Sequence, residues 1–128
     1  MWEAYDLKNE DFLWAGIPFL GGIAGQQQAP CGVVSSSAVC LGLRHRCSLQ
    51  DKEKAKQART IIRAFSQELV KEFEKQFGTI ICRDLIGFNT SDPEESKKFR
   101  ESNIWREKCN KAMEFAIDKL YEFEERGQ

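Results

Sequence analysis

Residues 51–78 read DKEKAKQARTIIRAFSQELVKEFEKQFG. Their apolar side chains fall at Ala58, Ile61, Ile62, Phe65, Leu69, Phe73 and Phe77. Steps of three and four line one face of an α-helix, and Gly78 follows as a stop. A helix over Asp51–Phe77 would run roughly 40 Å at 1.5 Å per residue. Such a face needs a partner. A second stripe, Trp105, Cys109, Ala112, Met113, Ala116, Leu120 and Phe123, supplies one, with Ser102 as its expected N-cap. Two long amphipathic helices predict a helical bundle.

The rest of the chain fits between and before them. GTIICRDLIG (78–87) reads as a short helix with Thr79 as N-cap and Gly87 as stop. FNTSDPEESKKF (88–99) reads as a loop with turn chemistry at Asp92-Pro93, then one helical turn. Asp11 to Leu20 predicts a short helix. Cys31 to Leu43 predicts a buried helix with Pro30 in its first turn. No stretch alternates as a strand would. The expected fold is therefore all-α: a single-domain bundle over residues 1–128 with a Gly-rich N-terminal third.

Composition narrows the function. The formal charge of −1 offers no global basic field for nucleic acid. Lys52, Lys54, Lys56, Arg59 and Arg63 cluster without interleaved aromatics, as on a solvated helix face. The acidic start, MWEAYDLKNEDF, lacks the basic and apolar regions of a signal peptide. FLWAGIPFLGGIAG (12–25) is apolar but short, and Pro18 and its glycines interrupt it. The expectation is a cytoplasmic protein without membrane insertion, whose five cysteines serve as thiols, ligands or transient redox groups.

Six of the nine glycines lie between Gly16 and Gly42. GGIAG (21–25) does not make a dinucleotide fingerprint, because Leu20 stands where that motif needs glycine and no strand precedes it. No Lys-Ser or Lys-Thr follows to make a P-loop. The glycines are read as permitting positive φ or close helix approach, with Gly32, Ser35, Ser36 and Gly42 letting the Cys31 helix nestle. The chain has no CxxC pair and no CxxCH, so a local zinc knuckle and a covalently attached c-type haem are not expected. His45, the only histidine, reads as a solvated residue at a helix end.

Cys31 and Cys82 both fall in the predicted first turn of a helix, where free amides and the dipole would stabilise a thiolate and lower its pKa. Cys109 lies on the inward stripe of the last helix. Cys40 and Cys47 fall near or past a helix end and read as packing or exposed residues.

These cysteines and their surroundings carry a resemblance. Gly21, Gly22, Ile23, Gly25, Cys31, Gly32, Leu41, Gly42, Leu43, Phe77, Gly78, Thr79, Cys82, Arg83, Leu85, Gly87 and Cys109 follow the order of a known pattern. The chain resembles the redox-active protein family named for its C-GCAxxG-C-C cysteines, whose members carry GFGGGIG, CGAxxGA…LGL and FGSxxCRELLG blocks. The resemblance implies an all-helical fold and a redox role built on cysteines. Val33 and Ser36 stand where the family prefers Ala and Gly. The family's first cysteine, on a helix reading like NCAQAVLxAF, has no counterpart, so an N-terminal helix of the family is expected to be missing. Split-Soret cytochromes share a related helical arrangement, but their haem-attachment motif is absent here.

The leading functional expectation is a cysteine-based redox protein. Cys31 and Cys82 would be activated thiols and Cys109 a resolving thiol or third ligand, with an unidentified redox partner. Thiol–disulfide exchange and binding of a metal or iron–sulfur cluster both fit that set. The alternative is a non-catalytic helical interaction module, such as a homodimer, with Phe12, Trp14, Ile17 and Phe19 exposed.

Overall fold

The computed structural model describes residues 3–127. In chain order the elements are α1 (Asp11–Gly16), a 3-10 turn (Ile17–Phe19), α2 (Gly32–Arg44), α3 (Lys52–Phe77), α4 (Cys82–Ile86), α5 (Pro93–Glu101), a π turn (Trp105–Asn110) and α6 (Lys111–Arg126). No strand is present among the described residues, and the fold is all-α. No helix is long and apolar enough to cross a membrane among these residues.

α3 forms where the 51–78 periodicity places it. The Asp51 carboxylate accepts the Lys54 amide at 3.1 Å and caps the first turn. Gly78 ends the helix at φ 83°, a conformation glycine adopts without a Cβ clash. Leu69 and Phe73 are fully buried on its inner face, together with Ala55, while Ile61 at the edge of the stripe stays exposed. Lys52, Lys54, Lys56, Arg59 and Arg63 point to solvent, as a charged outer face should.

α2, α3 and α6 pack on one another and enclose two core clusters. One gathers Cys31, Val34, Phe73, Leu85 and Ala112; the other gathers Leu41, Leu69, Leu120 and Phe123. Phe115 packs against both. It meets Phe73 and Phe77 edge-on, with ring centroids 5.9 and 5.7 Å apart, while Phe65 and Phe123 stack at 4.7 Å. Arg126 forks onto Glu68 with 2.7 and 3.1 Å bonds and ties the end of α6 to α3.

The last stripe differs from its sequence reading at two residues. Ala112, Ala116, Leu120 and Phe123 are buried, but Trp105 and Met113 are exposed. The π turn explains Trp105: its wider turn holds an extra residue and rotates everything before it relative to α6. Met113 lies one position past Ala112 and so turns off the buried line. Ser102 does not cap the last helix as expected: it closes α5, its hydroxyl accepting the Ile104 amide at 3.3 Å in the turn between them, and Ile104 takes the cap position of the π turn without a side-chain bond. α5 is longer than the single turn expected. Asp92 caps it by accepting the Glu94 and Glu95 amides, and Pro93 occupies its first position.

Candidate functional site

Two segments approach each other just before α2 and α4. Pro30 and Ile81 form an isolated antiparallel pair. The Cys31 amide donates to the Ile80 carbonyl at 2.6 Å, and the Cys82 amide donates to the Ala29 carbonyl at 3.3 Å. In this arrangement the central pair itself exchanges no hydrogen bond, so Pro30, which has no N–H, fits without loss. Pro30 therefore precedes α2 instead of opening it: Cys31 is the N-cap and Gly32 the first helical residue. Likewise Thr79 does not cap α4. Its hydroxyl accepts the Ile81 amide at 3.1 Å and bends the chain, while Ile81 holds the N-cap position and Cys82 begins the helix.

Side chains alternate along paired strands, so Cys31 and Cys82 flank the Pro30–Ile81 pair on one face. Both are buried, each 9% exposed. The π turn that carries Cys109 packs against α4, and Cys109 is half-buried. The three thiols act on one another: Cys31 on Cys82 and Cys109, and Cys109 on Cys82. All five cysteines are free thiols. Cys40 lies against the other core cluster and Cys47 is exposed, so neither joins this group.

The helix-start thiols are not acidified. Burial pushes Cys31 up, and the Val33 and Val34 amides oppose it without overcoming it. Burial also pushes Cys82 up, helped by Cys31 and Cys109; Gln27 and Arg83 pull the other way. Cys109 is raised by burial and by Cys31, with nothing opposing. The sequence expectation of lowered thiol pKa values is thus corrected: loss of water outweighs the donors at the helix starts. The Val33 and Val34 amides act on Cys31 and the Gln27 side chain acts on Cys82, whereas no donor acts on Cys109.

The glycines explain how the thiols fit. A Cβ on Gly22, at φ 60°, would meet the Ala29 oxygen at 2.6 Å and the Cys82 Cβ at 3.0 Å. A Cβ on Gly32 would meet the Phe19 oxygen at 2.7 Å. Gly42 plays no such part, since nothing lies within 4 Å of the added atom; at that end of α2 the neighbours stand farther off. Ile23 and Ala24 continue the left-handed path at φ 57° and 52°, between Gly22 and Gly25. Each costs about 1–2 kcal/mol in that conformation. Two hydrogen bonds offset part of it: the Ala24 amide donates to the Pro18 carbonyl at 2.8 Å and the Gly25 amide to the Leu20 carbonyl at 2.9 Å.

Two residues beside Cys82 were given no role by the sequence reading, although Arg83 belongs to the family pattern. Gln27 is buried, with its amide oxygen and one of its two N–H groups engaged. Arg83 reaches the Gln26 carbonyl and the Asn89 side chain, both at 3.4 Å, while its Nε is buried without a partner. The position of Arg83 next to Cys82 was a usable signal; Gln27 had none. His45 also differs from its reading. It caps the end of α2, but its ring packs on Phe65 and its Nε2 is buried without a hydrogen bond. Burial and Arg44 hold its pKa below the ordinary range.

Among the described residues, no three His, Cys, Asp or Glu side chains converge as metal ligands do. The thiol trio does not match a preformed metal centre in this conformation. The fold and site thus define an all-helical protein whose distinctive chemistry is three neighbouring thiols. The chain belongs to the family described as "Putative redox-active protein (C_GCAxxG_C_C)", whose model matches residues 1–123. No curated protein and no solved structure matches it.

Proposed function

We propose that the protein is a thiol–disulfide exchange protein acting on a partner's disulfide. The observation that carries this reading is the pairing around Pro30 and Ile81, which holds Cys31 and Cys82 at the starts of two helices beside the turn bearing Cys109. Hydrogen-bond donors at Cys31 and Cys82 favour those two as attacking thiolates. One of them loses its proton and attacks the partner disulfide, forming a mixed disulfide and releasing one partner thiolate, which takes up a proton. Cys109, deprotonated in turn, attacks the protein's sulfur in the mixed disulfide. An internal disulfide closes and the second partner thiol leaves. Two electrons pass to the partner, which ends as a dithiol, while this protein ends oxidised.

Raised thiol pKa values leave few thiolates at neutral pH and so slow the first attack. Cys31→Ser and Cys82→Ser combined are expected to abolish the internal disulfide formed on incubation with a small-molecule disulfide, read by mass spectrometry of the trapped protein, and the single variant that abolishes it identifies the attacking thiol. An unchanged yield in the double variant would remove both from the reaction.

A second reading, a non-catalytic interaction module, is favoured by one observation. Trp14, Ile17, Leu20 and Ile23 are 69%, 55%, 72% and 51% exposed, whereas Phe12 and Phe19 are half-buried. Isolated apolar side chains are common on surfaces, but four from one short segment form a patch suited to a partner or a second copy. Light scattering after size exclusion distinguishes these outcomes: a strict monomer at high concentration contradicts the homodimer.

A further inference from the structure

Gln27 is the middle residue of a three-glutamine run, and it alone of the three is buried, at 1% exposure. Its backbone is left-handed, at φ 62°. Its amide donates to the Gly21 carbonyl at 2.9 Å, and its carbonyl accepts the Arg83 amide at 3.1 Å. It therefore links the glycine turn to the first turn of α4.

The side chain is locked as well. Nε2 donates to the Phe88 carbonyl at 2.7 Å. Oε1 accepts from the Thr90 amide at 2.7 Å and the Thr90 hydroxyl at 2.9 Å. A backbone carbonyl can only accept and a backbone amide can only donate, so these partners settle which end of the Gln27 amide is nitrogen. Both oxygen lone pairs and one N–H are used. Gln27 lies beside Cys82: the Cα of Gln27 and the Cβ of Cys82 each lie 3.0 Å from the place a Gly22 Cβ would occupy, and the Gln27 side chain pulls the Cys82 thiol pKa down against the effect of burial.

We propose that Gln27 is a positioning residue for Cys82, its amide fixed so that an N–H, and not the carbonyl, faces the sulfur. A thiolate accepts hydrogen bonds and a thiol donates weakly, so a fixed donor selects the thiolate. This rests on the reading of Cys82 as an attacking thiolate, and it singles out Cys82 as the thiol with a dedicated side-chain donor.

The test is the pH profile of iodoacetamide alkylation of the reduced full-length protein, followed separately on the Cys82 and Cys31 peptides by mass spectrometry. Gln27→Met removes the donor without adding charge. The midpoint for Cys82 is expected to rise by about one pH unit, lowering its alkylation rate at pH 8 about tenfold, while the Cys31 midpoint stays in place. A merely structural role predicts the opposite sign, because a loosened site hydrates Cys82 and brings its midpoint down. Should Gln27→Met fail to fold, Thr90→Val removes only the hydroxyl bond to Oε1, leaves the bond from the Thr90 amide, and is expected to raise the midpoint by a smaller amount. An unchanged or lowered Cys82 midpoint in the folded variants overturns the proposal. A raised midpoint in a protein whose thiols never couple on oxidation supports the proposal and defeats the exchange reading instead.

Discussion

The two ends of α2 carry the same residue type in different company. At its N-terminal end Cys31 has Cys82 and Cys109 for neighbours, amides directed at it and a glycine seat at Gly32. Toward its C-terminal end Cys40 sits against Leu41, Leu69, Leu120 and Phe123 with no second thiol in the cluster. Burial raises both thiols. Around Cys40 it acts on other groups too: Tyr5 is pushed up to about 12, first by burial and then by Cys40 and Glu124. Burial alone therefore does not mark a site. What separates the ends is the number of sulfurs brought together and the donors aimed at them.

The largest expected effects test whether the two ends share one core. Phe73→Ala and Phe123→Ala each empty a fully buried aromatic site and should cost about 3–5 kcal/mol in denaturant unfolding. Only Phe73 borders Cys31, so only that variant should speed Cys31 alkylation while the protein remains folded. Equal acceleration by both would dissolve the distinction between the clusters.

Next come the glycines. Gly22→Ala adds a Cβ against backbone in a left-handed conformation and should cost about 3 kcal/mol. Gly32→Ala should cost about 2 kcal/mol through its contact with Phe19. Gly42→Ala, at the other end of the same helix with open space around it, should stabilise by about 0.5–1 kcal/mol. A melting series that ranks Gly42→Ala below Gly32→Ala would refute the close seat assigned to the Cys31 end.

The smallest effects are those of pH, and they carry opposite signs at the two ends. His45 has a folded pKa below its ordinary 6.5, so the folded state prefers the neutral ring. Its contribution is complete above about 6.5 and is lost as the pH falls toward the folded value. Urea titrations should show this acid-side loss reduced in His45→Gln. Cys31, Cys82 and Cys109 have folded pKa values above their ordinary 9.0. Their contribution is complete below about 9 and declines as the pH rises through the folded values, because the unfolded thiols ionise first. Cys109→Ser should lessen that alkaline loss; an unaltered slope would mean that folding does not raise the Cys109 pKa.

The frame of this fold was legible and the joints were not. Leu69, Phe73, Leu120 and Phe123 announced the α3 and α6 faces because their spacing is a property of the helix itself. The π turn was invisible, since nothing in WREKCN (105–110) departs from an ordinary helical composition. The Pro30–Ile81 pair was hidden for another reason: a single bridge has no alternation to read, and its partners are 51 positions apart. Gln27 looked like either of its solvent-facing neighbours, because its burial depends on Thr90 and Phe88 reaching it from a distant loop. Cys31, Cys82 and Cys109 could be grouped from their helix positions, but their ionisation could not. Water loss is set by packing, which local sequence does not record.

The most direct test of the account is anaerobic thiol labelling with mass spectrometry across buffered redox potentials. Two of Cys31, Cys82 and Cys109 should become unlabelled together within about −200 to −320 mV, joined by an internal disulfide, while Cys40 and Cys47 label at every potential. Five cysteines that stay free and label independently across that range would contradict a redox role for the thiol trio.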